Sequence, residues 1–548
     1  MNHTSIIERL ERNTRRVQEI VAVLVKYGLA DWLRKIPGSR TSEWLRNAEG
    51  QAIPDLSRPE RIRFALTELG TTFIKLGQAL STRPDLVGHE LAGELTRLQS
   101  DAPPDRPGVA EKTVEKELGR RPDALFAYFE PIPFASASIA QVHRARLPSG
   151  EEVVVKIQKE GIEKRIEADL SILADLAELA EKHVAELKPY GPVAMVRQFA
   201  KTLRGELDFV REQRNIEEFR RNFAENDSVH FPQPWPAFSS RRVLTMERME
   251  GTLLSKTEEL RSLGIDLDGF SQRGANMYLE MIFRDSFYHA DPHPGNLMLL
   301  PGQVVGVLDC GMVQRLDEDS REQMEDMLLA VAHGDAEALA DDLWNIATTP
   351  PTGRREQLRS EMADFLAEYM GQSVRDLRLS AILTSLTDII YRNHVFLPPG
   401  ASLLLRTLVE LEGTAQLLSP SFSLAEVIQP YYRKTVGRRL SPRRLALRFQ
   451  RGFRDWDRLI QALPRDLNEM LQRILTGTLT VRIEHRRLEP VVNRLVLGLF
   501  TSSLFLGSSL LWSMKAPPLI GGVSLLGAIG YALTLFLGFR LFRAIRKS

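Results

Sequence analysis

The sequence predicts an α+β fold in two lobes, with a helical N-terminal extension and a C-terminal hairpin of two membrane-spanning helices. Three observations carry this. Apolar residues recur at helical spacing up to about residue 120. Short β-like runs then take over between 126 and 158 and return near 242 and 304. Close to the C-terminus, charge almost vanishes over some two helix lengths.

The first segment opens with Ile6, Ile7 and Leu10, then Val17, Ile20, Val21 and Leu24, an apolar stripe of period 3.6. Leu98 to Pro107 holds three prolines and reads as a loop. From Phe126 to Gln158 the runs turn β-like, notably Glu151-Glu-Val-Val-Val-Lys156 after a glycine turn. Helical texture resumes to about residue 227, and short strands follow at Arg242–Met246 and Val304–Leu308 before a long helical tail. The expected domains are an extension over 1–122, a first lobe over 123–255, a helical second lobe over 256–485 and a membrane anchor over 490–548.

Composition excludes several classes. The chain has 548 residues and one cysteine, so no internal disulfide framework is available. Its 72 basic and 71 acidic residues leave a formal charge of +1, unlike a globally basic nucleic-acid binder. A content of 43% hydrophobic and 26% charged residues is that of a globular chain and excludes wholesale disorder. Ile20–Val25 is too short, and lacks the small-residue cleavage site, for a signal peptide.

Between Leu495 and Phe539 the only charged residue is Lys515. Leu495–Met514 and Ala516–Phe539 are each long enough to cross a hydrocarbon core, and Lys515-Ala-Pro-Pro518 is a turn signal between them. Two buried helices of a soluble core are the alternative, but such helices seldom exclude charge for so long. Arg486, Arg487 and Arg494 precede the pair and Arg540, Arg543, Arg546 and Lys547 follow it. Both ends, and the large domain, are therefore expected on the cytoplasmic side of a bacterial inner membrane. Ser524, Ala528 and Ala532 recur every four residues and would allow close helix approach. Upstream, Arg433–Arg454 carries nine Lys or Arg and no acid. Interleaved with leucine and phenylalanine, it is expected to meet anionic lipid headgroups rather than nucleic acid, for which no stacking module is present.

Three stretches carry chemistry. The first is His289-Ala-Asp291-Pro-His293-Pro-Gly295-Asn296, the second Val305-Gly-Val-Leu-Asp309-Cys310-Gly311, and the third Ala135–His143 followed by Lys156. Asp291 and Asn296 are five apart, the spacing of a kinase catalytic loop, and Asp309 follows thirteen later where a kinase carries D-F-G. Phosphoryl transfer needs cations over phosphates, oxygen ligands for a metal and a carboxylate near the attacking group. Lys156 supplies the first; Asn296 and Asp309 are oxygen donors suited to Mg²⁺; Asp291 is the candidate base or orienting group. Two rivals stand beside this reading. The alternation His289-x-Asp291-x-His293 could hold zinc or iron, although Pro292 and Pro294 oppose a strand there. A proline-rich turn without chemistry is the blander account.

The combination of motifs resembles the UbiB family of atypical kinases, also called aarF-domain-containing or ADCK kinases, from about Leu69 to Gln314. Lys75-Leu-Gly77-Gln78 with Ser81-Thr-Arg-Pro-Asp85 is similar to the family's K-x-G-Q element. Ala135–Gln141 resembles its alanine-rich replacement for the glycine loop. Glu206-Leu-Asp208, with Glu212 and Asn215, resembles its E-x-D segment, and His289–Asn296 its catalytic loop. The resemblance implies a protein-kinase-like fold and ATP or ADP with Mg²⁺ as cofactors. It implies a nucleotide loop formed by Ala135, Ser136, Ala137, Ser138, Ile139, Ala140, Gln141, Val142 and His143, together with Lys156 positioned by Glu212. It also implies a helix bearing Lys75 and Gln78 over the cleft, with Lys75 paired to Glu206. Glycine permits positive φ and alanine does not do so cheaply, so altered nucleotide preference and suppressed protein phosphorylation are expected.

Two departures stand out. Ser136 occupies a position often alanine in that loop, and Cys310 replaces the phenylalanine of D-F-G. A buried apolar thiol is the ordinary reading of Cys310, a redox-active one the sharper alternative. The implied process is biosynthesis of ubiquinone or a related isoprenoid quinone, by an ATPase that makes lipid precursors accessible. The implied partners are membrane lipids, isoprenoid quinone precursors, quinone-biosynthesis enzymes and a second copy of the chain, with no nucleic acid. A nucleotide-holding pseudokinase scaffold and a small-molecule or lipid kinase remain as alternatives.

Overall fold

The computed structural model describes residues 14–29, 56–98, 103–184, 191–347, 355–369, 378–439, 488–520 and 523–546. The expected helical residues Ile6, Ile7 and Leu10 lie outside them, as does the basic stretch after Arg439. The chain divides into two compact units, Met1–Ser441 and Pro442–Ser548.

The first described element is α1 (Thr14–Lys26), whose stripe Val17, Ile20 and Val21 is buried. It packs with α2 (Arg58–Leu69) and α3 (Thr71–Ser81) in one apolar cluster. A capping box between Ser57 and Glu60 starts α2, and Gly70 at φ 90° makes the sharp corner into α3. Short helices α4 (Pro84–Val87) and α5 (His89–Leu95) follow. Between them and the second lobe lies a clasp. Arg83 grips Asp85 with two hydrogen bonds of 2.9 and 2.8 Å and donates to the Leu397 carbonyl. Asp85, 1% exposed, also accepts from Leu397 N and Ser402 Oγ, so a buried charge is matched by three donors.

After α6 (Val109–Leu118) comes a five-stranded antiparallel sheet. Its strands are β1 (Tyr128–Phe129), β2 (Ala135–Ser136), β3 (Ala140–Arg146), β4 (Glu152–Gln158) and, later in the chain, β6 (Val243–Glu247). Side chains alternate across it. Val153, Val155 and Ile157 face the cluster of Ala110, Val114 and Phe126, while Val154 faces the cluster that also holds Phe209. Inserted between β4 and β6 are α7 (Ile162–His183), α8 (Pro192–Glu206), α9 (Phe209–Asn222) and the short β5 (Val229–His230).

The second lobe hangs from β7 (Thr252–Leu253) and the apolar helix α10 (Leu267–Phe283). Here β8 (Phe287–His289) pairs with β11 (Val313–Arg315), and β9 (Leu297–Leu300) pairs with β10 (Val304–Val307). The sequence reading caught β10 but read through β8, β9 and β11, which are too short to show a period. Six helices complete the unit: α11 (Glu318–His333), α12 (Ala336–Ile346), α13 (Arg355–Tyr369), α14 (Leu379–Arg392), α15 (Pro399–Leu418) and α16 (Leu424–Arg439). The architecture is the α+β, two-lobed, kinase-like one that the sequence predicts.

The described residues of the second unit include a pair of packed helices, α17 (Leu488–Ser513) and α18 (Leu525–Arg546). Among the described residues only Val496–Ser513 is long and apolar enough to cross a membrane; the apolar part of α18, Leu525–Arg540, is shorter. Of the two expected spans, the first is thus matched among the described residues. Residues 516–524, counted above as membrane helix, instead hold Pro517-Pro518 and a two-strand turn, Leu519–Ile520 against Val523–Ser524. The contact stripe also differs from Ser524-Ala528-Ala532, since Ala532 is exposed. Ser524, Gly527 and Gly530 form it instead: a Cβ on Gly530 would stand 2.0 Å from Ser508 Oγ. Ser509 and Tyr531 share a hydrogen bond of 2.8 Å across the pair.

Candidate active site

Lys156 stands at the cleft end of β4. In the sheet register it lies opposite Val142 and Leu244, so these three share the face turned toward the second lobe. Its ammonium donates to both Glu212 oxygens at 2.8 and 2.9 Å and to Asp309 Oδ2 at 3.0 Å. Burial would lower its pKa, but Asp309 and Glu212 outweigh that and hold it firmly protonated. Burial also pushes Glu212 up, to about 7, against the pull of Lys156. Asp309 moves the other way: Lys156 and the Gly311 N–H, 2.7 Å from Oδ1, overcome burial and keep it well below the ordinary carboxylate range. The Asp309 side chain is 44% exposed toward the cleft, whereas Glu212 is 5% exposed.

One segment positions four of these groups. Glu206 ends α8 and reaches Lys75 Nζ at 2.6 Å. Asp208 is the N-cap of α9 and accepts from Val210 N, rather than sharing a helical stripe with Glu212 and Asn215. Glu212 sits in the first turn, aimed at Lys156. Asn215, one turn on, donates to the Cys310 carbonyl at 2.9 Å and so fixes the residue after Asp309. Cys310 itself is buried, and burial together with Asp309 holds its thiol well above the usual range. That suits the apolar reading and not a reactive thiolate.

Asp291 and Asn296 sit on the loop between β8 and β9. Asn296 Nδ2 donates to Asp291 Oδ2 at 2.8 Å, leaving the Asn296 amide oxygen available to a cation. The loop is braced from beneath by α15, where Thr407 bonds the Ala290 carbonyl and Thr414 the Pro292 carbonyl. His289 is 1% exposed and occupied at both ring nitrogens, by Tyr278 OH and Asp291 N on one side and the Asp309 carbonyl, 2.5 Å away, on the other. His293 Nδ1 accepts from Gly295 N. The His-x-Asp-x-His alternation therefore shapes backbone and joins the two loops; it does not present a ligand set for zinc or iron.

The loop Ala135–His143 is divided by its strands. Ala135, Ala140 and Val142 share the Lys156 face, whereas Ser136, Gln141 and His143 lie on the opposite face. There Gln141 bonds His143 and accepts from Asp105 N, and His143 bonds the Glu130 carbonyl. The sequence reading assigned the whole run to nucleotide; period-2 alternation turns three of its side chains away. Ser136 Oγ is closed off from solvent with no hydrogen-bond partner. The turn itself, closed by Ala137 N to Ala140 O at 2.8 Å, uses no positive φ. Its tip is anchored: Ser138 O accepts from Thr71 and Ile139 is buried among α7 and α8 residues.

Lys75 and Gln78 lie on α3. The Lys75–Glu206 pair is half-buried, and Asp309 and Asp291, beyond Glu206, help hold Lys75 protonated against burial. The ammonium is thus in electrostatic reach of both lobes' carboxylates. Gln78 turns elsewhere, donating to the Leu98 carbonyl at 3.1 Å. Between them Gly77 lets α3 press against the following turn, since a Cβ there would stand 2.2 Å from Leu98 Cδ1.

Three family models match the chain. Residues 97–343 match the ABC1 atypical kinase-like domain, 362–423 the UbiB helical domain and 483–547 the ABC1/UbiB kinase-like C-terminal domain. A Pseudomonas paraeruginosa protein named probable protein kinase UbiB is 34% identical over 473 residues, covering 84% of this chain and 88% of its own. An uncharacterised Clostridium pasteurianum protein encoded in a hydrogenase 1 5′ region is 29% identical over 551 residues, 97% and 99% of the two chains. A Mycobacterium tuberculosis protein solved in complex with erythromycin overlaps 62% of this chain and 92% of its own, at a TM-score of 0.39 and 23% identity.

Proposed function

The chain belongs to the UbiB family of atypical kinases, and from that premise we propose that it is a membrane-anchored, Mg²⁺-dependent kinase-like ATPase that supports biosynthesis of ubiquinone or a related isoprenoid quinone. The observation that carries the proposal is Lys156 bound at once by Glu212 and Asp309, opposite the Asp291–Asn296 pair. Lys156 then contacts the α- and β-phosphates and Glu212 fixes its direction. Asp309 and the free oxygen of Asn296 are the hard oxygen donors a magnesium ion takes, with nucleotide phosphates and water completing its shell. The ion supplies charge neutralisation at the phosphates. Asp291, held by Asn296, orients or deprotonates the attacking group.

Lys75 and α3 cover the cleft where a peptide acceptor would lie, which favours water or a small molecule as acceptor over a protein. The helix Val496–Ser513 anchors the chain in the inner membrane with the catalytic unit in the cytoplasm, next to its lipid precursors. The deciding experiment measures phosphate release from ATP with and without lipid vesicles, alongside a search for phosphorylated lipid. Mg²⁺-dependent release that disappears in Asp309→Asn supports the ATPase. Binding without turnover would replace it with a pseudokinase scaffold, and a phosphorylated lipid with a lipid kinase.

A further inference from the structure

The loop Ala135–His143 is held from two sides. Its tip is tied in front, where Ser138 O accepts from Thr71 on α3. Behind it, on the face of β3 turned away from Lys156, runs a chain of side-chain bonds that phosphate chemistry does not use. The Asp105 N–H donates to Gln141 Oε1 at 2.9 Å, Gln141 Nε2 lies 3.0 Å from His143 Nε2, and His143 Nδ1 lies 2.8 Å from the Glu130 carbonyl. Asp105 belongs to the strap ahead of α6. That strap is stitched to the corner after β4 by Lys159 Nζ on the Pro103 carbonyl and by Glu160 N on Asp105 Oδ2. Gln141 and His143 are 2% and 0% exposed, so neither has solvent at hand to replace a lost partner.

Every bond in this chain has a fixed direction. A backbone N–H only donates, so the Gln141 oxygen faces Asp105 and its NH₂ faces His143. His143 Nε2 must then accept, which puts the ring proton on Nδ1, where the Glu130 carbonyl receives it. A second ring proton sets donor against donor. The Gln141 amide can turn its oxygen to the imidazolium, a charge-assisted bond, but its NH₂ then meets the Asp105 N–H. The ring stacks on Phe129 at 5.0 Å and lies opposite Val155 of β4. Among the described residues, the charges acting on it are Glu111 on α6 and Glu130, whose carboxylate lies 3.9 Å from Arg144. Burial draws the ring below its ordinary 6.5, against the Glu130 carbonyl bond and these two charges.

We propose that Gln141 and His143 are positioning residues of the nucleotide loop, and that a proton on His143 unties the loop from the strap. In the neutral chain the start of β3 is held to Asp105 while Thr71 holds the tip. With the proton, the loop keeps its tip anchors and its strand ladder but loses the tie behind it. Nucleotide must then order the loop itself, so it binds the neutral form more tightly and, by linkage, resists protonation of His143. That nucleotide meets this loop rests on the reading above; the proton-dependent tie does not.

The test follows the full chain in detergent micelles by hydrogen–deuterium exchange over a pH series, with rates corrected for their intrinsic pH dependence, and separately by ATP titration with Mg²⁺. As pH falls below the ordinary histidine value, peptides spanning Asp105 and residues 135–142 should exchange about tenfold faster, and ATP affinity should drop about fivefold. His143→Gln keeps an acceptor for Gln141 but cannot titrate, so both responses should flatten. The titration of Glu212 is common to the two chains and cancels. Gln141→Glu should reverse the sign. A carboxylate accepts from Asp105 and from protonated His143 alike, so acid now protects the loop, an effect that no loss of packing produces. Exchange at Asp105 that ignores pH in the parent chain would overturn the proposal. An acid response kept in His143→Gln, or left unreversed in Gln141→Glu, would overturn it equally. Should ATP fail to bind at any pH while the exchange responses appear, the nucleotide reading falls and the tie stands.

Discussion

Lys156 Nζ lies 3.0 Å from Asp309 Oδ2, so the cation proposed for phosphate is paired with the carboxylate proposed for the metal. On that proposal, nucleotide would take over Lys156 and the metal would take over Asp309. Asp309→Asn keeps the shape but removes the charge that balances both cations. Affinity for ATP in the presence of Mg²⁺ should fall at least about tenfold, and the difference between Mg²⁺ and chelator should vanish. Fluorescent-nucleotide titration with and without EDTA checks this; equal Mg²⁺ dependence in the variant refutes the assignment.

Glu212 yields a pH prediction. Its folded value of about 7 lies above the ordinary 4.5, so between those values the folded chain holds a proton that the unfolded chain has lost. That contribution to stability is present in full below about 4.5 and is lost as pH rises through 7. Glu212→Gln cannot titrate. The difference in melting temperature between parent and variant should thus change across pH 4.5 to 7 and stay flat above it, as read by thermal unfolding at a series of pH values.

Gly77 tests the packing of the cleft helix. Gly77→Ala must push Leu98 aside, and overpacking of this kind costs about 1–3 kcal/mol. A lower melting temperature should accompany a weakened Lys75–Glu206 pair. Glu206→Gln removes the pair without the clash, so thermal unfolding of the two variants separates packing from pairing.

Much of the site was legible because kinase chemistry is written locally. Asp291 to Asn296 and on to Asp309 lie within one loop–hairpin–loop passage, and Glu206 to Asn215 within one helix entry. What escaped depends on tertiary register. Ser136, Gln141 and His143 read as nucleotide contacts until strand pairing turned them away. The second apolar helix reads as starting at Ala516 because hydropathy does not register the strand pair Leu519–Ile520 and Val523–Ser524 that precedes α18. The clasp of Arg83 onto Leu397 and of Asp85 onto Ser402 joins residues 314 and 317 positions apart, which no local pattern shows.

The membrane prediction concerns partition. Removing residues from Arg494 onward deletes the apolar helix Val496–Ser513. A chain that needs detergent should become soluble or salt-extractable, any residual binding resting on the basic stretch Arg433–Arg454 and anionic lipid. Flotation with vesicles at low and high salt checks this, and integral behaviour of the truncated chain would locate the anchor elsewhere.

The two cleft lysines should respond with opposite sign. Lys156→Ala removes the phosphate contact and leaves Glu212 and Asp309 facing each other, so nucleotide affinity should drop sharply. Lys75 touches Glu206 and feels Asp291 and Asp309, yet it sits on the covering helix. Lys75→Ala should free the acceptor side of the cleft and raise autophosphorylation. The alanine loop refines this. Ala137→Gly grants positive φ at the turn, but Ile139 and the Thr71 bond to Ser138 still anchor its tip, so alone it should change ADP and ATP affinity only slightly. Ile139→Ala releases the tip, and the double variant should shift nucleotide affinity by more than the sum of the two. Radiolabel transfer and nucleotide titration on the four variants and the double check the set. Equal loss of nucleotide in both lysine variants would make Lys75 a phosphate ligand rather than a cover, and additive loop variants would remove Ile139 as the restraint.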